Sequence, residues 1–181
     1  MSDDLNVFCE ELDSCTGLRI SIALLRNVEN SKDVKAKVMS GSLQCAVIKA
    51  SLIVDPCQVV VAANRAAIGL STGTMVTRSV YTELLFNLSI SKNISQSLIK
   101  FGVHEDDQDI LVATFDKQDA SSIDSVLSEI VGRLVPLSEL RNICDRKLVC
   151  KSYKVGDLEA KTTTLLDSVV SRIATSEFVS H

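Results

Sequence analysis

The segment DPCQVVVAANRAAIGL, residues 55–70, constrains the fold more than any other part of the chain. Asp55 followed by Pro56 is a typical helix start, because Asp caps free N–H groups and Pro fits the first helical position. The helix that follows is apolar around most of its circumference, so we expect a central, buried helix near residues 56–71. Its small side chains would let a second backbone approach closely; they are Ala62, Ala63, Ala66 and Ala67.

Apolar runs on either side of this helix predict the strands of a sheet. Alternation is clear in LRISIALL (18–25) and in LLFNLSI (84–90), where every second residue is apolar and these residues share one face of a strand. VIKASLIV (47–54) and DILVATF (109–115) are continuous apolar segments that also favour extended structure. The strands are too few, and alternate too little with helices, for a doubly wound sheet.

Capping residues and periodic apolar positions predict the remaining helices. Residues 29–41 predict a short helix that Asn30 or Ser31 can cap and that Gly41 can end. Asn93 begins a further helix, and residues 121–132, a basic stretch after Pro136 and residues 157–178 are also helical in pattern. The fold class we predict is therefore α+β, a single domain with a small, mostly antiparallel sheet packed with several helices.

Charge is unevenly distributed along the 181 residues. The formal charge of −4 argues against an autonomous, high-affinity nucleic-acid binder. Residues 1–16 carry acids and no base, so we predict an acidic N-terminal extension, partly disordered, ahead of one domain at 17–181. Residues 56–103 hold four cations against Glu83 alone, and residues 141–154 are also net basic. Such runs are either solvated faces or the surface of a weak RNA partner that relies on other subunits.

No pattern in the sequence predicts catalysis or a cofactor. The six cysteines form no C-x-x-C pair, and we interpret them as small apolar residues of a reducing compartment. Ala46-Val47-Ile48-Lys49 resembles a kinase lysine strand but has no glycine-rich loop before it. The S-x-x-K pattern occurs twice, and His104 lies in an acidic loop, which favours a solvent-exposed turn over a catalytic base. We therefore expect a protein without enzymatic activity, metal or cofactor, and with neither a signal peptide nor a membrane-length segment.

Residues 51–103 resemble the signature region of a known family. The resemblance lies in ordered short elements: Val54-Asp55-Pro56, Ala62-Ala63-Asn64-Arg65, Thr77-Arg78, Thr82-Glu83, Phe86-Asn87-Leu88-Ser89, Asn93-Ile94-Ser95 and Lys100-Phe101-Gly102. In order and spacing this stretch is similar to the small kinase-binding subunit family of the KEOPS (EKC) complex. Weaker resemblance continues through ILVATF, KSYKV and LLDSVVSRIAT. The acidic N-terminal extension and Cys57 depart from the family pattern.

The resemblance implies a function without catalysis. Members bind the N-terminal lobe of a small atypical kinase/ATPase, and the complex places threonylcarbamoyl on the adenosine beside the anticodon of ANN-decoding tRNAs. Archaeal relatives also contact the 3′ CCA end of tRNA. The chain is therefore expected to bind the kinase and tRNA in the cytoplasm and nucleus, as allosteric effector and tRNA-recruiting module. Alternatively it is chiefly a tRNA 3′-end-binding module, with kinase docking only as an anchor.

Both partners have candidate residues. For RNA, Arg78 offers a charge-assisted contact to phosphate or a stacking surface for a base, and nearby polar residues would assist. The predicted RNA-binding set is Arg78, Thr77, Asn64, Arg65, Thr82, Glu83, Lys92 and Lys100. An internal Arg78–Glu83 pair is the alternative interpretation. For the kinase, the candidate surface is the apolar stripe Leu165, Leu166, Val169, Val170 and Ile173, which could equally pack on the protein's own sheet.

Overall fold

One antiparallel sheet organises residues 6–117 and 121–178, which are the residues described by a computed structural model. Its strands are β1 (Val7–Glu11), β2 (Leu18–Arg26), β3 (Ala46–Lys49), β4 (Ile110–Lys117) and β5 (Arg133–Val135). The helices are α1 (Ser31–Ser40), α2 (Pro56–Thr72), α3 (Val80–Asn87), α4 (Ile94–Phe101), α5 (Ile123–Leu127), α6 (Leu140–Ile143), α7 (Arg146–Tyr153), α8 (Glu159–Thr162) and α9 (Leu165–Thr175). The predicted α+β class is confirmed. None of these helices combines the length and hydrophobicity needed to cross a bilayer.

Strand β2 is the centre of the sheet, whose order is β1-β2-β4-β3. One edge of β2 pairs with β4 over Leu18–Leu25. The other edge is shared end to end by β1, which pairs with Arg19–Ala23, and β5, which pairs with Leu24–Arg26. Every one of these pairings is antiparallel, and β3 completes the sheet beside β4.

The two faces of the sheet carry cores of different size. Ile20, Ile22 and Leu24 of β2 point to the larger core, which α2, α3, α4, α7 and α9 cover. Leu25 of β2 and Val112 of β4 point to the smaller core, beneath α1 and α5. Because successive strand residues face opposite sides, strands buried on both faces read as nearly continuous apolar runs. This explains the uninterrupted pattern of 109–115.

Helix α2 lies in the larger core, as predicted. The Asp55 side chain accepts a hydrogen bond from Cys57 N, Pro56 is the first helical residue and Gly73 ends the helix in the left-handed conformation. Its buried face is made of small residues, which lets α3 and α9 pack closely against it: Val59, Ala62, Ala63, Ala66, Ala67 and Gly69. Burial of this face fixes the positions of the two helices that frame the candidate site.

The predicted strand at 84–90 is wrong, because residues 80–87 form helix α3. Leu84, Phe86 and Leu88 alternate, but Leu84, Leu85 and Leu88 also satisfy helical spacing, and these three are the buried apolar residues of the segment. Ser79 decides between the two patterns. Its hydroxyl accepts from Thr82 N, while the Thr82 side chain accepts from Ser79 N, which forms a complete capping box.

Two other expectations need correction. The part of the acidic extension that the structure describes is ordered at residues 7–11, because β1 pairs along β2; residues 1–5 lie outside the described residues. Asn30 occupies the cap position of α1 but forms no side-chain cap. Its side chain instead bonds Val131 N and Glu129 O, which joins α1 to the segment after α5. Gly41 ends α1 in the left-handed conformation, as predicted.

Candidate functional site

Six of the eight predicted RNA-binding residues line three clefts of the structure. We name them by their linings. The arginine cleft, of about 550 Å³, contains Arg65, Glu83 and Lys92. The lysine cleft, of about 430 Å³, contains Lys92 and Lys100. The apolar groove, of about 700 Å³, contains Arg78 and Thr82. The α3–α4 connection, with Ser89, Ile90, Ser91 and Lys92, lies between the first two clefts and lines both.

Glu83 is buried and binds its own chain. Its carboxylate accepts hydrogen bonds from Val76 N, from Thr77 N at 2.7 Å and from the Thr77 hydroxyl at 2.7 Å. Its position in the first turn of α3 also lets it interact favourably with the helix dipole. Glu83 therefore fixes the loop that leads into α3. It does not pair with Arg78.

Three further members of the predicted set serve internal contacts. Thr82 belongs to the capping box of α3. Asn64 Oδ1 accepts from Asp13 N at 2.7 Å, which holds the β1–β2 turn on α2. Arg65 donates to Ile173 O and to Ser176 Oγ, each at 2.6 Å, and thereby caps the C-terminal end of α9. With Thr77 and Glu83, five of the eight predicted residues thus have a structural role.

The other three predicted residues are exposed cations. Arg78, Lys92 and Lys100 form no side-chain hydrogen bond or ion pair within residues 6–117 and 121–178. Arg78 lines the apolar groove, which neither Lys92 nor Lys100 lines. Lys92 and Lys100 are brought together in the lysine cleft. Contact of these three residues with RNA stays a prediction.

The lysine cleft also contains residues that the sequence analysis missed. Lys151 and Lys154, at the end of α7, line the same cleft as Lys92 and Lys100. None of the four ammonium groups has an ion-pair partner in the described part of the chain. Although Lys100 is exposed, partial desolvation of its ammonium group lowers its pKa, and the neighbouring charge of Lys151 lowers it further. Neighbouring cations repel one another, and a bound anion would reduce this repulsion.

The signal for this cleft was present in the two basic runs, residues 56–103 and 141–154. Each run was visible in the sequence, but nothing local indicates that α4 and α7 lie together. Tyr153 brings them together, because its buried ring packs against Phe101 of α4 at a centroid distance of 6.0 Å. The hydroxyl of Tyr153 donates to Leu88 O at the start of the α3–α4 connection.

Side chains that resembled catalytic groups have structural partners. His104 Nε2 lies 2.8 Å from Ile99 O, at the end of α4. Lys49 lies 3.6 Å from the Asp107 carboxylate. Ser97, from the second S-x-x-K pattern, donates to Asn93 O at 2.9 Å. Each of these contacts secures a helix end or a loop.

The predicted kinase-binding stripe is largely internal. Leu165, Val169 and Ile173 are buried in the larger core, where α9 packs against α2. Leu166 and Val170 are half-buried at the edge of α9. The stripe therefore packs on a helix of the same chain, while Leu166 and Val170 keep part of their surface for a partner.

Comparison with known proteins gives a consistent result. Residues 25–177 match the family described as "Kinase binding protein CGI-121". The chain is 31% identical to the EKC/KEOPS complex subunit TPRKB of Danio rerio, over 96% of each chain. It is 32% identical to the EKC/KEOPS complex subunit cgi121 of Aspergillus fumigatus, over 81% of this chain and 82% of the relative. A Candida glabrata subunit is 28% identical, over 85% and 88% respectively.

Proposed function

The chain belongs to the CGI-121 family of kinase-binding proteins, and on that premise we propose that it is a non-catalytic subunit of an EKC/KEOPS complex. It binds the small atypical kinase/ATPase of that complex and supports threonylcarbamoyl-adenosine modification of ANN-decoding tRNAs, as an allosteric effector. We place this function in the cytoplasm and nucleus. The observation that carries the proposal is the match over residues 25–177, which spans the fold from the end of β2 to α9.

The α9 edge is the part of the predicted kinase surface that remains accessible. Leu166 and Val170 lie one helical turn apart and are half-buried, so both contribute to the same strip of surface. Ser171 and Ala174 are exposed beside them. A partner groove that receives this strip would bury apolar surface without disturbing the contact between α9 and α2.

Gel filtration of the full chain with the small kinase of the same organism tests the proposal. We expect co-elution at 1:1 for the wild type at micromolar concentration, and separate peaks for Val170→Glu. Ser171→Arg provides a second variant on the same strip, at an exposed position where folding is not at risk. Ile99→Glu is the control, since Ile99 is an exposed apolar residue of α4. Separate elution of the folded wild type would refute kinase docking.

A second candidate function is direct contact with tRNA, favoured by the exposed, unpaired cations Arg78, Lys92 and Lys100. In that alternative, kinase docking only anchors a module that binds the tRNA 3′ end. Because cations bind RNA mainly through phosphates, the affinity would fall steeply with salt. Arg78→Glu and Lys100→Glu, assayed separately for tRNA binding by the assembled complex, test this. Unchanged binding for both variants would exclude these residues as RNA contacts.

A further inference from the structure

The lysine cleft is lined almost entirely by hydrogen-bond donors. Its lining includes four lysines, Lys92, Lys100, Lys151 and Lys154, and Gln96. No acidic residue is among the described residues that line it. A lysine ammonium has three donors and no acceptor, so the cleft concentrates positive charge without internal compensation.

Three hydroxyl groups in the same cleft donate no hydrogen bond within the described residues. Ser89 Oγ accepts from Ser91 N at 3.0 Å, and Ser91 Oγ accepts from Asn93 N at 3.1 Å, but neither hydroxyl donates within the described residues. Ser152 is only 7% exposed, and its Oγ has no hydrogen-bond partner there at all. A buried hydroxyl without a partner is unusual in a folded protein and calls for an explanation.

The lining also says what the cleft does not recognise. Ile90 is its apolar side chain, and no aromatic ring is among the described residues that line it. Recognition of a nucleobase in a single strand relies on stacking against aromatic rings or guanidinium planes. Lysine, by contrast, binds phosphate as a point charge. The chemistry therefore matches phosphoryl oxygens and not bases.

Size sets a further restriction. A volume of about 430 Å³ lies within the range of small-molecule sites and is generous for a single inorganic phosphate. The lysines come from the α3–α4 connection, from α4 and from the end of α7, so several linked anionic groups would neutralise them better than one. We propose that the lysine cleft is a binding site for linked phosphoryl groups, held by Lys92, Lys100, Lys151 and Lys154 and by the free hydroxyls of Ser89, Ser91 and Ser152.

The site is distinct from the kinase-docking strip on α9, so the inference does not depend on docking. The phosphoryl groups can belong to a free polyphosphate or to successive nucleotides of an RNA strand. In the second case the inference rests on the tRNA contact proposed above, and it restricts that contact to the backbone. Arg78, at the apolar groove, has no part in it.

Isothermal titration of the full chain with sodium tripolyphosphate, at low ionic strength, tests the proposal. We expect saturable 1:1 binding that weakens by about tenfold or more in the double variant Lys100→Ala/Lys151→Ala. The matched control is Lys32→Ala/Lys147→Ala, which also removes two positive charges, but from exposed positions outside the cleft. Absence of saturable binding, or equal weakening in both double variants, would overturn the proposal.

Ser152→Ala separates a ligand-binding hydroxyl from one that only fills space. The change removes an unpaired hydroxyl and leaves the lysines in place, so it keeps the fold and the charge. We expect affinity for tripolyphosphate to fall by roughly threefold or more, with the thermal midpoint unchanged or higher. Unchanged affinity would remove Ser152 from the site.

Competition distinguishes the two sources of phosphate. If a short single-stranded RNA displaces tripolyphosphate, and does so equally for different base sequences, the cleft binds the nucleic-acid backbone. If it does not, the cleft serves a free polyphosphate; both results support the site. Kinase co-elution of the Lys100→Ala/Lys151→Ala variant is measured in parallel. If this variant still co-elutes with the kinase, loss of phosphate binding leaves kinase docking intact, and the two proposals can fail independently.

Discussion

At the scale of single residues, Tyr153 joins several distant segments of the chain, and no sequence pattern predicts this role. Its hydroxyl, fully buried, donates to Leu88 O at 2.5 Å and accepts from Gln58 Nε2 at 2.9 Å. Gln58 in turn donates to Leu52 O and accepts from Val54 N. Burial raises the pKa of the Tyr153 phenol well above its ordinary value, so the group stays a neutral donor.

Removal of this hydroxyl should destabilise the fold measurably. Tyr153→Phe keeps the ring but leaves Leu88 O without its phenol donor and Gln58 with one acceptor fewer. We expect the free energy of unfolding to fall by about 1–3 kcal/mol, the usual cost of an unsatisfied buried polar group. Urea denaturation at neutral pH measures it. A loss below about 0.5 kcal/mol would mean that water replaces the hydroxyl.

Two polar residues of the otherwise apolar helix α2 have partners within the chain. The sequence predicts that Asn64 and Arg65 contact RNA, since both leave an otherwise apolar helix, and that contact stays a prediction. In the structure Asn64 accepts from Asp13 N in the turn before β2, and Arg65 donates to Ile173 O at the end of α9. Both partners are distant in sequence, so no local pattern could reveal that the two side chains are already occupied.

At the scale of elements, local signals predicted most of the fold. Helices α1, α2 and α4 and strands β2 and β4 follow from caps and apolar periodicity, which depend on neighbouring residues only. Strands β1 and β5 do not follow from local signals, because each is short and is extended only by pairing with β2. Helix α3 was missed because two periodicities coincide in one segment. The lysine cleft required knowing that α4 and α7 lie together, which is a tertiary fact.

The end of helix α7 contains a strained residue at the lysine cleft. Lys154 adopts the left-handed conformation, with φ of 53°, where glycine is preferred. Its N–H bonds Lys151 O, and its carbonyl accepts from Arg172 Nη2 at 3.4 Å, so the backbone conformation serves the fold. The lysine side chain at this position serves no bond in the described part of the chain.

Replacement of Lys154 by glycine should therefore separate stability from ligand binding. The left-handed conformation costs a non-glycine residue about 1–2 kcal/mol, and the greater freedom of glycine in the unfolded chain returns part of that. We expect Lys154→Gly to unfold with a free energy about 0.5–1 kcal/mol higher, as measured by urea denaturation. The same variant should bind tripolyphosphate more weakly than the wild type. Weaker binding together with lower stability would indicate damage to α7.

At the scale of the whole molecule, one ion pair makes the stability of the fold depend on pH in the acidic range. Arg172 of α9 holds the Glu159 carboxylate of α8 with two bonds, at 2.5 Å and 2.7 Å. These bonds lower the pKa of Glu159 from its ordinary 4.5 to about 2. Because the pKa is depressed in the folded state, the pair stabilises the fold above pH 4.5. Its contribution disappears as the pH falls from 4.5 toward about 2.

Glu159→Gln tests this dependence. We expect the variant to be less stable than the wild type at pH 7 and to lose less stability between pH 4.5 and pH 2. Thermal denaturation monitored by circular dichroism across this range measures both quantities. Glu105→Gln is the control, since Glu105 is exposed and forms no ion pair in the described part of the chain. Parallel pH curves for Glu159→Gln and the wild type would contradict the assignment.

The contact between α2 and α9 has a consequence for the order in which the protein acquires its structure during translation. The buried face of α2 is covered partly by Leu165, Val169 and Ile173, and Arg65 of α2 caps the end of the helix that carries them. A ribosome makes α2 long before it makes α9. Until residues 165–175 have left the exit tunnel, the part of this face that α9 covers stays open to solvent and to chaperones that bind apolar surface. Folding of the larger core is therefore completed only after most of the chain has been synthesised.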